Sequence, residues 1–333
     1  MDNLFKIRTL TTSINKMRSP GRRMFQRHFA GKLNFQPSSR LAFDVISGNE
    51  TILSTIKAVD PATIGKKTGR STITMEAPRL AEKRIIHNYE VDQMRGYGEQ
   101  MGLEMLKSRI AREQIDMRNI FDRTLEFWAA NALRGKIYDA DLTTILVDYN
   151  MANDHVVALT GDDLWTATTT SNPITQIRTW KRKIEEDAGH EIRSWQCWCG
   201  YEAMDALLVH PEVVGLLQFD RGRQIAEEGR IATLAGISFE EYNGSYLDSS
   251  SVRKRFLESD YIILIGEGDD VFECPYFSPF VETAGGVGYS GIPPLFFSKS
   301  WKEEDPEGRW IYGESRPLPV LKRPEAVMYI KVT

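Results

Sequence analysis

The residue types that do chemistry are present in this 333-residue chain, but their spacing does not assemble a reaction centre. Five histidines (His28, His87, His155, His190, His210) fall in no His-x-His or His-x-x-x-His pattern. Cys197 and Cys199 alternate with Trp198 in Ser194–Gly200, a strand pattern that puts Trp195, Cys197 and Cys199 on one face. With His190 and His210 flanking, a metal site is conceivable, yet the CxxC spacing of a zinc site is missing. Reduced cysteines packed in a core are the simpler reading, and three of them cannot all pair within one chain. They fit a reducing, cytosolic compartment.

Two segments look like phosphate loops and fail the same test of context. Gly285-Gly286-Val287-Gly288-Tyr289-Ser290-Gly291 does not lie between a strand and a helix N-terminus, as a dinucleotide loop must. Gly65-Lys66-Lys67-Thr68-Gly69 lacks the Gly-Lys-Ser/Thr order of a P-loop. Carboxylates are plentiful without nominating an acid/base pair, and a serine-nucleophile signature is absent. The expectation is a non-enzyme with no catalytic residues, metal or cofactor.

Charge is distributed unevenly. Residues 1–40 carry nine basic side chains against Asp2 alone, a net of +8, while the remaining residues carry a net of −12. A basic arm on an acidic body suits contact with nucleic acid or with an acidic face of another copy. No apolar run approaches the ~18 residues that span a bilayer; the strongest, Tyr261–Ile265, is strand-sized. The N-terminus has no secretory signal core.

The elements that must position these residues are legible from periodicity. Between Pro78 and Pro173 there is no proline. Leu103, Leu106, Ile110, Met117, Phe121, Leu125, Trp128 and Ala132 recur at three-and-four spacing, which predicts one helix over about 98–132. Arg134-Gly135 ends it as a basic turn and a left-handed glycine. Trp128 and Phe121 are read as packing that helix onto its own domain.

Residues 1–48 read as an extended arm, punctuated by Ser19-Pro20-Gly21 and Gln36-Pro37-Ser38-Ser39. Glu50–Val59 and Arg70–Ala77 read as a hairpin around a basic loop, too poor in apolar residues to stand alone. Lys83–Val91, Tyr138–Tyr149 and His155–Leu159 are predicted strands. A compact α/β region follows over about 161–290. Within it Asn172-Pro173 starts a helix, Pro211 interrupts another, and Arg253-Lys254-Arg255 is read as a solvated loop. The alternating Val327–Val332 closes the chain as a strand.

The order of these parts resembles the major capsid proteins of tailed bacteriophages, most closely the lambda-type E family. The resemblance is carried by Arg23-Met24-Phe25-Gln26-Arg27-His28-Phe29, Phe43–Gly48, Ala132–Tyr138, Tyr289, Lys299-Ser300-Trp301, Asp305-Pro306-Glu307-Gly308, Ser315–Val320 and the closing strand. It implies an α+β (mixed α/β) fold of the Hong Kong 97 type. The implied divisions are an N-terminal arm (1–48), an extended hairpin loop (49–92), a peripheral domain with a spine helix (93–160), an axial domain (161–290) and a return to the peripheral domain (291–333).

The implied function is a self-assembling icosahedral head shell of hexamers and pentamers, enclosing double-stranded DNA without sequence-specific binding. Its partners would be a scaffold protein, a portal and a decoration protein, with no membrane. It would assemble in the host cytoplasm and end in the virion. Candidate inter-subunit residues are Arg22, Arg23, Arg27, Lys66, Lys67 and Arg70. Some members of this fold crosslink a hairpin lysine, and Lys66 and Lys67 occupy that loop. An encapsulin-like compartment shell, or a nucleic-acid-binding module using the basic arm, are the alternative readings.

Overall fold

The computed structural model describes residues 6–17, 23–38, 40–47, 69–87, 99–188, 191–217, 233–248, 250–280, 282–283, 286–287, 293–305 and 307–333. Lys66, Lys67, Arg22, His190, the Glu50–Val59 arm of the expected hairpin and most of the glycine-rich 285–294 crossing lie outside the described residues.

Along the chain come helices α1 (Ile7–Lys16) and α2 (Arg23–His28), then strands β1 (Leu33–Gln36), β2 (Arg40–Ser47), β3 (Gly69–Glu76) and β4 (Leu80–His87). Helix α3 (Glu99–Ala132) leads to β5 (Lys136–Tyr138), β6 (Ile145–Asp148) and β7 (Val156–Ala158). Helix α4 (Pro173–Ala188), β8 (Ser194–Cys199), α5 (Tyr201–Val209) and α6 (Pro211–Leu217) follow. Next are β9 (Ser238–Glu241), β10 (Ser245–Leu247), β11 (Arg253–Arg255), β12 (Tyr261–Glu267) and β13 (Phe272–Phe277). The chain ends with the short β14 (Glu282–Thr283) and β15 (Gly286–Val287), then β16 (Phe296–Glu304), β17 (Glu307–Ser315), β18 (Val320–Leu321) and β19 (Val327–Lys331).

These elements form two compact units: residues 1–40, 76–130 and 273–320, and residues 41–75, 131–272 and 321–333. In the first, β16, β17 and β4 make an antiparallel sheet, with Trp301 opposite Trp310 and Ile311 opposite Arg84. Helix α3 crosses this sheet. Its 34 residues extend about 50 Å at 1.5 Å per residue. Ile110, Met117, Phe121, Leu125 and Trp128, five of the residues that predicted it, are buried. Gly313 of β17 is where the crossing is closest, since a Cβ there would stand 3.0 Å from the Phe121 ring. Arg84 of β4 ties the sheet to the helix through Glu113 at 3.0 Å, and Arg109 reaches the same carboxylate at 3.1 Å. Beside this sheet β1 runs parallel to β13, Leu33 opposite Cys274 and Gln36 opposite Phe277.

The second unit is built on a five-stranded sheet in the order β7-β19-β12-β8-β9. Strand β12 is antiparallel to both neighbours, and its unbroken Tyr-Ile-Ile-Leu-Ile run is what a strand covered on both faces requires. Helix α4 begins as predicted: Asn172 Oδ1 accepts the Thr175 N–H at 2.9 Å, and Pro173 stands at the first helical position. It buries Ile177, Trp180 and Ile184 against Cys197, Cys199, Leu264 and Ile330. The two thiols lie 3.7 Å apart inside this core, with Trp195 packed on the same cluster, and burial pushes the Cys197 thiol well up. The helix end expected at Arg134-Gly135 holds. Gly135 has φ +91°, and its N–H closes the turn onto Ala132 O at 3.0 Å.

Four expectations change. The arm is not extended throughout, because Ile7–Lys16 and Arg23–His28 are helical; Leu10 and Ile14 gain burial only by turning onto one helix face. Strand β3 pairs with β2 from the arm segment, so the described part of the two-stranded ribbon uses residues 40–47 and 69–76. Tyr138–Tyr149 is two strands. Asp141 breaks it by accepting the Thr143 and Thr144 N–H groups at 3.0 and 2.9 Å, a local turn that outcompetes strand pairing. Arg253–Arg255 is an exposed strand paired with β10, not a loop.

Candidate assembly surfaces

Helix α3 carries a second stripe inside its apolar face. Gln114, Arg118, Asp122 and Glu126 recur every four residues and are all nearly inaccessible to solvent. Buried polar groups must be paired, and here the partners are mostly the backbone of the N-terminal segment. Gln114 donates through Nε2 to Leu10 O at 3.0 Å. One turn on, Arg118 donates through Nη1 to Ile14 O at 3.2 Å while its Nε bonds Asp122 at 2.9 Å. The Arg118 guanidinium also lies 3.5 Å from the centre of the Phe296 ring. The two donors and the two carbonyls share the same four-residue step, so α1 lies along α3 in matched register.

Glu126 does the corresponding work for α2. Its Oε1 accepts the Met24 N–H at 2.9 Å and its Oε2 the Phe25 N–H at 3.0 Å. These are free donors in the first turn of α2, so a carboxylate a hundred residues away serves as the cap. Met24, Phe25, His28 and Phe29 are buried behind it. Burial, with Arg27 adjacent, lowers His28 to about 3.

The other side of α1 closes a sheet edge. Thr11 Oγ1 donates to Ser298 O at 3.0 Å and accepts the Ser298 N–H at 3.1 Å. Asn15 donates to Phe296 O at 2.6 Å. Thr11 and Asn15, one turn apart, thus occupy the positions along β16 where another strand would pair. The signal for all of this was in the sequence as Leu10/Ile14 and Gln114/Arg118/Asp122/Glu126 spacing, but neither set meant anything without the other.

Of the predicted inter-subunit residues, Arg23 and Arg27 stand one turn apart on the exposed side of α2. Arg70 lies in β3. Arg22, Lys66 and Lys67 are outside the described residues, so the structure groups only Arg23 with Arg27. A basic ribbon that reading passed over is β10–β11: Arg253 donates to Ser245 Oγ, Arg255 to Asn243 Oδ1, and the Arg255 guanidinium lies 4.4 Å from the Tyr201 ring centre. Among the described residues there is no group of three His, Cys, Asp or Glu side chains able to hold a metal, and no helix long and apolar enough to cross a membrane.

A long helix crossing an antiparallel sheet in one unit, and a separate α/β core in the other, define a shell-forming structural fold of the Hong Kong 97 type, mixed α/β as the resemblance implied. Residues 6–332 match the model of the family described as phage major capsid protein E, and the chain belongs to that family. It is a structural protein of self-assembling shells. Among solved structures it is similar to a prophage protein of E. coli CFT073 assigned as a capsid protein (17% identity, TM-score 0.64, covering 98% of this chain and 99% of that one). It is similar also to a phage-related protein from Bordetella bronchiseptica RB50 (14%, 0.55, covering 97% and 95%) and to the mature capsid of bacteriophage PhiM1 (10%, 0.54, covering 95% and 88%). A comparison with curated proteins gives no match.

Proposed function

We infer that many copies of this chain close into the icosahedral head shell of a tailed phage, as hexamers and pentamers around its double-stranded DNA. The observation that supports this most is the match of residues 6–332 to the phage major capsid protein E family. The work of the protein is mechanical. A scaffold protein guides a precursor shell, a portal occupies one vertex, and a decoration protein can fasten the outside. The shell assembles in the host cytoplasm and becomes the virion wall.

In this reading the β2–β3 ribbon lies over a neighbouring copy, which accounts for a two-stranded element that would be marginal alone. Arg23, Arg27 and Arg70, with Arg22, Lys66 and Lys67, face neighbours or scaffold. The divisions at 48, 92, 160 and 290 then separate arm, ribbon, peripheral and axial parts. An acidic remainder of the chain keeps packed DNA from adhering to the wall.

Negative-stain microscopy of the purified protein, expressed alone and with a co-encoded scaffold, tests this. Closed shells with hexameric and pentameric capsomers are expected. Monomers under both conditions at high concentration would refute it.

A further inference from the structure

The exposed side of α1 is a cationic stripe. Arg8, Thr12 and Lys16 follow at four-residue steps, opposite the buried Leu10 and Ile14. With Asn15 they form one wall of an open cleft of about 420 Å³ whose other wall is Pro293 and Pro294. Among the described residues no carboxylate lines this cleft. The guanidinium of Arg8 and the ammonium of Lys16 make no ion pair among the described residues, and both are exposed. Eight residues, about 12 Å of helical rise, separate the two along a helix held from behind. That is a preformed site for an anionic partner.

The same unit carries the opposite charge. The β16–β17 hairpin ends with Glu304 directly opposite Glu307, and exposed Asp305 lies in the turn between them. The cleft adjoins the start of β16, where Asn15 bonds Phe296, and the acidic turn is at the other end of that strand. Eight residue steps separate them, about 27 Å, so one copy cannot close its own turn into its own cleft.

We propose that the acidic β16–β17 turn of one copy docks in the Arg8–Lys16 cleft of the next. Such a contact is head-to-tail, and a head-to-tail contact closes into rings when its rotation permits. The proposal rests on the shell reading and adds to it which two surfaces join copies.

Charge exchange tests it. R8E/K16E and E304K/E307K should each lower the yield of closed shells by about tenfold or more, because like charges then meet across the contact. The combined four-substitution variant should restore assembly. Circular dichroism and melting of each subunit, with R8Q/K16Q as a milder pair, separate lost assembly from lost folding. T12C/D305C adds a direct readout, since the three native cysteines are buried: oxidised shells should run as a ladder of linked chains, and T12C alone should not. R8E/K16E shells at wild-type yield, or no ladder from T12C/D305C shells, would overturn the contact. R8E/K16E shells of normal yield that lose packaged DNA would also overturn it and assign the cleft to phosphate. Wild-type protein that never forms shells refutes the shell reading and this contact with it. Wild-type shells with indifferent variants refute the contact alone.

Discussion

Replacing Glu126 by glutamine exchanges a single carboxylate oxygen for an NH₂ group and should unfasten α2. The carboxylate offers one oxygen to Met24 N–H and the other to Phe25 N–H, at 2.9 and 3.0 Å, in a site where Glu126 is 1% exposed. Glutamine keeps one acceptor and turns an NH₂ group toward the second N–H. One charge-assisted bond is lost, worth about 1.5–3 kcal/mol, and a buried donor is left unpaired. The favourable placement of a negative charge at a helix N-terminus goes too, adding roughly 0.3–1 kcal/mol. A loss of about 3 kcal/mol in the local opening energy corresponds to roughly a hundredfold faster exchange, at 1.4 kcal/mol per factor of ten. Hydrogen-exchange mass spectrometry on peptides covering 23–32 measures this, with peptides over 127–133 as the internal control. The expected pattern is acceleration confined to the first. Exchange at 23–32 within threefold of wild type would show that Glu126 does not hold α2 and that the long-range cap has no energetic weight.

Acid should loosen the same segment through His28. Its folded value near 3 lies below the ordinary 6.5, so below pH 6.5 the unfolded chain binds a proton that the folded chain refuses. Stability from this group therefore falls as pH drops from 6.5 toward 3, by on the order of 3 kcal/mol at pH 4 relative to pH 7. His28→Gln should flatten that part of the profile in urea unfolding followed at several pH values; an unchanged slope would contradict the assignment. Gly135→Ala forces a side chain into φ +91° with its Cβ 2.8 Å from Met151 Cβ, and should cost about 2–4 kcal/mol in equilibrium unfolding. Arg134→Ala removes a guanidinium bound to both Glu258 oxygens and to Phe256 O. The pair is partly solvated, so a loss of about 2 kcal/mol is expected, and a melting curve matching wild type would count against the clamp.

The helices and the central strand could be read from local pattern because each pattern is dictated by a single burial requirement. Ile110 to Trp128 mark one helix face, Asn172-Pro173 one helix start, and Tyr261–Ile265 one doubly covered strand; the structure has all three. The arm was misread as extended because Ser19-Pro20-Gly21 and Gln36-Pro37-Ser38-Ser39 punctuate it, and α1 has no core until α3 and β16 are beside it. The hairpin β16–β17 carried no strand reading. The Phe-Phe-Ser-Lys-Ser-Trp-Lys-Glu-Glu sequence of β16 alternates poorly, and the pairing of β17 with β4, 227 positions earlier at Ile311–Arg84, is what fixes the hairpin.

By itself the sequence determined where the chain turns and which faces are apolar, and it determined the uneven charge that marks the arm. Those properties depend on a few neighbouring residues, and the four-residue step of Gln114, Arg118, Asp122 and Glu126 is among them. What those four side chains are for was decided only by the tertiary structure. A buried polar group is stable only against a partner, and theirs are backbone atoms of residues 10, 14, 24 and 25 together with a pair among themselves. Pairing across a hundred residues is a property of how the chain is packed, and no local window contains it.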